Sequence, residues 1–249
     1  MIKFFRRIRQ NLLKENKTGK YFKYAFGEIF LVVIGILIAI AVNNWNSQRI
    51  KTNRNQDLLA KISKELDSNI TRMTLLDSVS FNHRFIYSDS LFKLLDRNLE
   101  INDFDFMVSD DIYLPTIFNL NTSIFEELKN TGSLYAIGSD SLVAKIQRYY
   151  QNCERESSYN LESDKNVLQF KNKCYEGWFD FKYLYLKNPE SALKNHEWIF
   201  NSRSVDYIRL RQYVEYANFH YQFVSKKAEN IIKESEELKN FIVKEQNIF

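Results

Sequence analysis

The feature that most constrains this chain is a run of nineteen residues, Tyr24–Val42, reading YAFGEIFLVVIGILIAIAV with one charge, Glu28. As a helix it rises about 28 Å, close to the roughly 30 Å hydrocarbon core of a bilayer. Eleven of the residues from Ile29 to Val42 are Ile, Leu, Val or Phe. At about −0.3 to −0.6 kcal/mol each, these contribute roughly −3 to −7 kcal/mol toward insertion. Glu28 lies near one end, where its penalty falls well below the midplane value. Insertion wins, and the expectation is a transmembrane helix over residues 24–44. Tyr21 and Tyr24 at one end and Trp45 at the other occupy the positions of interfacial aromatic anchors.

Two other readings of the run are weaker. A core helix this apolar all round needs a large domain to enclose it. A cleaved signal peptide finds a literal small-residue site at Ala39-Ile40-Ala41, but that site lies inside the apolar run, and the basic region ahead of it is unusually long. Orientation follows from Lys and Arg near the ends: residues 5–23 hold seven and residues 46–65 hold five. The bias puts the N-terminus on the cytoplasmic side. The expected layout is a basic cytoplasmic tail (1–23), one span acting as a signal-anchor in the plasma membrane (24–44), and a periplasmic, extracytoplasmic domain (45–249).

The charge pattern supports this layout. The chain carries 35 Lys and Arg against 31 Asp and Glu, a net charge of +4. Residues 1–23 alone hold eight cations and one anion, Glu15, a surplus of seven, so everything after Glu28 is net −2. A pI near 8.8 therefore reports a basic tail. Nucleic-acid binding by the main domain has no electrostatic motive, whereas a basic tail beside an apolar segment suits an anionic membrane surface. Within the tail, Ile2, Phe4, Phe5, Ile8 and Leu12 share one arc of a helical wheel, as in a segment lying along a leaflet.

One face of the span is distinctive. Glu28, Gly35 and Ala39 stand seven and four residues apart and stack on one side of a helix. Gly35 and Ala39 form a small-xxx-small pair that admits a second helix, and a membrane acid facing that contact can hydrogen-bond to a partner. The expected partners are the bilayer itself and either a second copy or another membrane protein.

Residues 3–46, KFFRRIRQNLLKENKTGKYFKYAFGEIFLVVIGILIAIAVNNWN, resemble the N-terminal signature of an uncharacterised single-pass membrane protein family of Bacteroidota-type bacteria. The segment FEELKNTGSLYAIGSDSLVAKIQRYY, residues 125–150, resembles that family's E-E-L-x-x-x-G-x-L stretch. The resemblance implies a single-pass architecture and carries no catalytic residues with it.

Beyond the span the periodicity is helical. Only 6 Gly and 2 Pro occur, too few for folds built on many tight turns, such as sandwiches or glycine-loop nucleotide sites. Asn43 to Gln56 reads as an exposed helix or linker. Leu59, Ile62, Leu66, Ile70, Met73 and Leu76 make one buried stripe, extended by Phe85, Leu91, Leu94 and Leu95 toward Asn98. Leu99 to Leu120 reads as a loop. Its Asp103, Asp105, Asp110 and Asp111 invite calcium but lack the glycine and closing Glu of an EF-hand, so an acidic, solvated loop is expected. Ser123 and Glu126 form a possible capping box for a helix ending at Gly132. Ser139 or Asp140 caps the next helix, with a kink or protrusion over its polar centre, Glu154 to Asn166, and an end at Asn188-Pro189. The last helix keeps 3-4 spacing through Leu210, Val214, Ala217, Tyr221, Val224, Ala228, Ile231, Leu238 and Ile242, coiled-coil-like, with Ser235 in the one gap. The fold expected is all-α: one transmembrane helix followed by an elongated antiparallel helical bundle.

No reaction is legible. His83, His196 and His220 form no H-E-x-x-H or Glu-x-x-His pair, and the glycine motifs of hydrolases and nucleotide sites are missing. Glu215 and His220 point about 140° apart on a helix. Tyr216, one turn before His220, is expected to make an ordinary contact with it. Cys153 and Cys174 read as free, buried thiols, since a straight helix separates them by about 31 Å. Tyr207, Tyr213, Tyr216, Phe219, Tyr221 and Phe223 read as core with a few tyrosines at its edge. No catalytic, metal or cofactor site is expected. The leading function is a membrane-anchored, non-enzymatic module that binds a partner protein or small ligand; the alternative is an envelope enzyme whose site is not visible as a motif.

Overall fold

The computed structural model describes residues 18–246. The tail arc Ile2–Leu12 lies outside the described residues. Eight α-helices and no strand occur among those described: α1 (Thr18–Leu76), α2 (Asn82–Leu95), α3 (Asp103–Val108), α4 (Ser123–Asn130), α5 (Asp140–Lys173), α6 (Asp180–Lys187), α7 (Pro189–Asn195) and α8 (Val205–Gln246). Described residues through Asp57 form one compact unit and those from Leu58 onward a second.

In the first unit, the apolar run is helix throughout, and its side chains from Ile29 to Val42 are exposed apart from the half-buried Ile34. Asn43 to Gln56, read as helix or linker, is helix. This is the one described helix long and apolar enough to cross a membrane, and none of its most apolar window is buried within the protein.

The second unit buries most of what the periodicity selects; Ile70 and Leu76 of the first stripe are only half-buried. Leu59, Ile62, Leu66 and Met73 are buried on α1, and all nine apolar positions of the last stripe are buried on α8. Ser235, in the gap, is also buried; its hydroxyl donates to Ile231 O at 2.7 Å and meets the Tyr149 hydroxyl at 2.8 Å. Helix α8 pairs antiparallel with α5, through Asn152–Glu234, Glu156–Lys227 and Ser163–His220. It also pairs antiparallel with the α1–α2 run, through Asp67–Lys239, Asp77–Ser225 and Asp89–Asn218.

Four local expectations are corrected. A π-helical turn, Asp77–Phe81, joins α1 to α2. The wider turn shifts the stripe, so Phe81, Arg84, Tyr87 and Ser88 are buried while Phe85 and Leu94 are only half-buried. Second, the Ser123–Glu126 capping box does not form. Thr122 is the N-cap without a side-chain bond, and Glu65, reaching over from α1, accepts from Ile124 N at 2.7 Å and from the Ser123 hydroxyl at 3.2 Å. A carboxylate at that end also meets the positive pole of α4. Third, the polar centre of α5 is not a protrusion, since Asn160 and Asp164 on it are buried. The helix is unbroken to Lys173, and the break comes at Cys174, before a second π-helical turn at Tyr175–Phe179. Gly177 is needed in that turn, because a Cβ there would come within 2.9 Å of Asp206 Cβ at the start of α8. Fourth, the stretch from Leu99 to Leu120 contains α3.

Other caps fall where expected. Ser139 Oγ accepts from Leu142 N, Gly132 takes φ +70° just past the end of α4, and Asn188 ends α6 and caps α7 through Ser191 N.

Candidate functional site

The most elaborate site in the second unit is built on the chain between α3 and α4. Residues 110–121 run irregularly, and the backbone N–H and C=O groups of such a segment need partners wherever it is buried. Ile112, Tyr113, Thr116 and Phe118 are buried, whereas Leu114, Ile117 and Asn119 face outward. Among the described residues, no backbone–backbone hydrogen bond joins 110–121 to anything. Side chains on five helices hold it instead.

At its centre stand Asn160 and Asp164 on α5 and His220 and Tyr221 on α8. Asp164 Oδ1 accepts from Thr116 N at 3.0 Å and from Thr116 Oγ1 at 3.1 Å, and its Oδ2 accepts from the Tyr113 hydroxyl at 2.6 Å. Asn160 Nδ2 donates to Thr116 O. The Tyr221 hydroxyl takes both backbone groups of Leu114, accepting from N at 2.7 Å and donating to O at 3.0 Å.

His220 is fully buried. Its Nε2 lies 2.9 Å from Thr116 Oγ1 and its Nδ1 lies 2.7 Å from Ser163 Oγ. The hydrogen-bond inventory selects the tautomer. Thr116 Oγ1 faces two acceptors, Asp164 Oδ1 at 3.1 Å and Asn160 Oδ1 at 3.3 Å, so its one proton goes to them and Nε2 must donate. Nδ1 then accepts from Ser163. Burial lowers the imidazole pKa from 6.5 to about 4, against an opposing pull from the Asp164 charge 3.7 Å away. Burial also raises the Tyr113 and Tyr221 hydroxyls well above their ordinary value.

A pH prediction follows. The unfolded chain binds a proton on this histidine below about pH 6.5, and the folded one only below about pH 4. Stability is therefore fully present above pH 6.5 and lost as pH falls through the window, by about 2 kcal/mol at pH 5. Denaturant unfolding of residues 45–249 at pH 7 and pH 5 checks this, and the His220→Gln variant should lose most of the difference.

The segment's two ends are held in other ways. Asn69 on α1 meets both backbone groups of Asn121, accepting from N at 2.7 Å and donating to O at 3.0 Å, while Arg72 Nε donates to Phe118 O at 2.6 Å. At the other end Lys182 donates to Asp110 O at 2.7 Å and to Asp111 Oδ1 at 2.8 Å, Tyr87 donates to Asp110 O at 3.2 Å, and Arg84 donates to Asp111 O. Arg84 and His83 also pair with the Asp110 carboxylate at 2.6 and 2.8 Å. Burial pushes that carboxyl up, but the bonds from His83 and Arg84 outweigh it and hold the pKa near 2.

The acidic stretch is thus solvated only in part: Asp105 and Asp111 are exposed, Asp103 and Asp110 are half-buried, and all four are partnered. Asp110 and Asp111 are ion-paired, Asp103 pairs with Arg97 at 2.6 Å, and Asp105 accepts from the Tyr185 hydroxyl at 3.0 Å. The aromatic expectation also inverts. Tyr207, Tyr213 and Tyr221 are core, and Tyr207 donates to Leu95 O at 3.0 Å, whereas Phe219 and Phe223 are 61% and 46% exposed. Tyr216 stacks on Phe170 at 4.8 Å. Cys153 and Cys174 are free and buried, and burial pushes both thiols up to about 12, which keeps them protonated.

In the first unit, Glu28, Gly35 and Ala39 all lie on α1. Glu28 is half-buried, Ala39 is exposed, and a Cβ on Gly35 would meet nothing within 4 Å. Trp45 is exposed, with Arg49 over its ring at 6.0 Å. Tyr21 and Tyr24 are helical, and their side chains lie outside those described. Among the described residues, no group of three His, Cys, Asp or Glu side chains is placed to hold a metal ion.

Chemically, the clasp reads main chain. A hydroxyl against an imidazole nitrogen, as at Ser163 and His220, is also the geometry of general-base activation. Here the other ring nitrogen, Asn160 and Asp164 are all spent on the segment.

These features define an all-α protein with one helix fit to cross a membrane. It belongs to a family of unknown function, DUF6090, which the chain matches over residues 28–169. That match takes in the 110–121 segment and its α1 and α5 contacts but stops short of α8. No curated protein and no solved structure matches the chain.

Proposed function

We propose that the chain is a membrane-anchored, non-enzymatic module. In this reading residues 24–44 span the plasma membrane, the basic tail is cytoplasmic, and residues 45–249 form an antiparallel helical bundle in the periplasm that binds a partner protein or a small ligand. Tyr21, Tyr24 and Trp45 are its interfacial anchors. The observation that carries the anchor is the exposed apolar surface from Ile29 to Val42, beside a second unit that buries the same residue types. A patch of that size in water is a liability, and lipid removes it. The face of Glu28, Gly35 and Ala39 is the contact through which a second copy or another membrane protein joins.

Alkaline carbonate extraction of native membranes tests the anchor. The chain should stay with the lipid, and the Ile36→Lys, Ile38→Lys double variant, which adds about 6 kcal/mol to the insertion free energy, should be released. Wild-type chain in the wash, or trimmed after Ala41, overturns the reading. Crosslinking from Ala39 in intact membranes identifies what the face contacts; self-crosslinks alone would make the chain a homo-oligomeric scaffold.

A further inference from the structure

The segment 110–121 is held in the way a protein holds a bound peptide. Eight side chains on α1, α2, α5, α6 and α8 reach its backbone: Asn69, Arg72, Arg84, Tyr87, Asn160, Asp164, Lys182 and Tyr221. Two of them, Asn69 and Tyr221, each take both the N–H and the C=O of one residue, as a neighbouring strand would. These main-chain bonds would serve many sequences, whereas the bonds to the Asp110, Asp111, Tyr113 and Thr116 side chains select this one. In peptide recognition of this kind the backbone bonds supply affinity, and pockets for a few side chains supply selectivity. Those pockets are filled here by Tyr113 and Phe118, five residues apart, buried to 4% and 1% exposure. The outer edge is open: a groove of about 360 Å³ runs between Thr116–Leu120 and residues 154–161 of α5, with Ile117 and Leu161 more than half or half exposed beside it.

We infer that this cleft is a peptide-binding site occupied by the protein's own segment. Its exchange partner is a stretch of another protein with acidic side chains to meet Arg84, His83 and Lys182, followed by bulky aromatic side chains spaced like Tyr113 and Phe118. The inference rests on the reading of residues 45–249 as a partner-binding module and needs nothing from the anchor. The resident segment, tethered at both ends, competes at an effective concentration on the order of millimolar, so an outside peptide binds the wild-type chain weakly. Loosening the resident segment without touching the cleft should strengthen that binding.

The test uses the full chain in bilayer nanodiscs and a fluorescein-labelled peptide of residues 109–122, SDDIYLPTIFNLNT. In the Tyr113→Ala, Thr116→Ala variant, anisotropy should report binding at least about tenfold tighter than in wild type, and a scrambled peptide should not bind. A folded variant that binds the peptide no better than wild type, or binds the scrambled one equally well, overturns the inference. Native-state hydrogen exchange of the wild type decides it if that variant does not fold. The amides of Leu114, Thr116 and Asn121 should exchange through an opening that leaves α5 and α8 protected; exchange only together with those helices overturns it. Failure of the peptide while a photo-crosslinker placed at exposed Phe219 still captures a partner protein sinks this site alone. Peptide binding with no partner captured by residues 45–249 sinks the broader reading instead.

Discussion

Replacing Asp164 by alanine lowers the free energy of unfolding by about 3–5 kcal/mol, as expected when two buried donors lose their acceptor at about 1–3 kcal/mol each and a third, the Thr116 hydroxyl, keeps only Asn160 Oδ1 at 3.3 Å. The donors are the Tyr113 hydroxyl and the N–H and hydroxyl of Thr116. None has another route to water, since Tyr113 and Thr116 are 4% and 1% exposed. The loss should also be local before it is global. Proteolysis should cut the variant between Asp110 and Asn121 under conditions in which α5 and α8 stay intact, because the segment's middle has lost the group that holds two of its residues. Denaturant unfolding of residues 45–249 with a limited-proteolysis map measures both. A change below about 1 kcal/mol would mean that the segment is held by its ends, at Asn69 and at Arg84 with Lys182.

Trp178→Ala should cost a similar amount, about 3–5 kcal/mol, for a different reason. Trp178 is 2% exposed and sits in the π-helical turn between α5 and α6, with its ring 5.9 Å from Phe181. Its removal leaves a cavity where Gly177 already brings the backbone close to Asp206, so the turn has little freedom to collapse inward. The informative comparison is Trp45→Ala. That ring is 65% exposed from the protein, so its loss should leave the unfolding of residues 45–249 unchanged and, if Trp45 is the interfacial anchor proposed above, weaken only the attachment to lipid. Equal destabilisation by the two substitutions would show that Trp45 packs against protein.

Much of the helical framework was legible because its signals are local. The stripe from Leu210 to Ile242 predicts a helix and its buried face from spacing alone, and both hold. Ser139, Gly132 and Asn188 mark boundaries through their own backbone and side-chain preferences. The apolar run from Ile29 to Val42 stands out against every other stretch of the chain. The clasp had no such signal. Asn160, Asp164 and Ser163 look like a solvated helix face, and the segment they hold looks like an acidic loop. Thr116 reaches Asn160 across 44 residues and His220 across 104, and nothing local in either stretch announces the other.

What the sequence determined alone is where the long helices run, which faces of them are largely apolar, and that one of them is long and apolar enough to cross a membrane. Those properties depend on neighbours within a turn or two. The tertiary structure decided which polar residues go inside, why tyrosines occupy the core while Phe219 and Phe223 do not, and where residues 110–121 find their hydrogen bonds. A buried polar group is tolerated only when a specific partner arrives from elsewhere in the chain, and that arrival is a fact of packing.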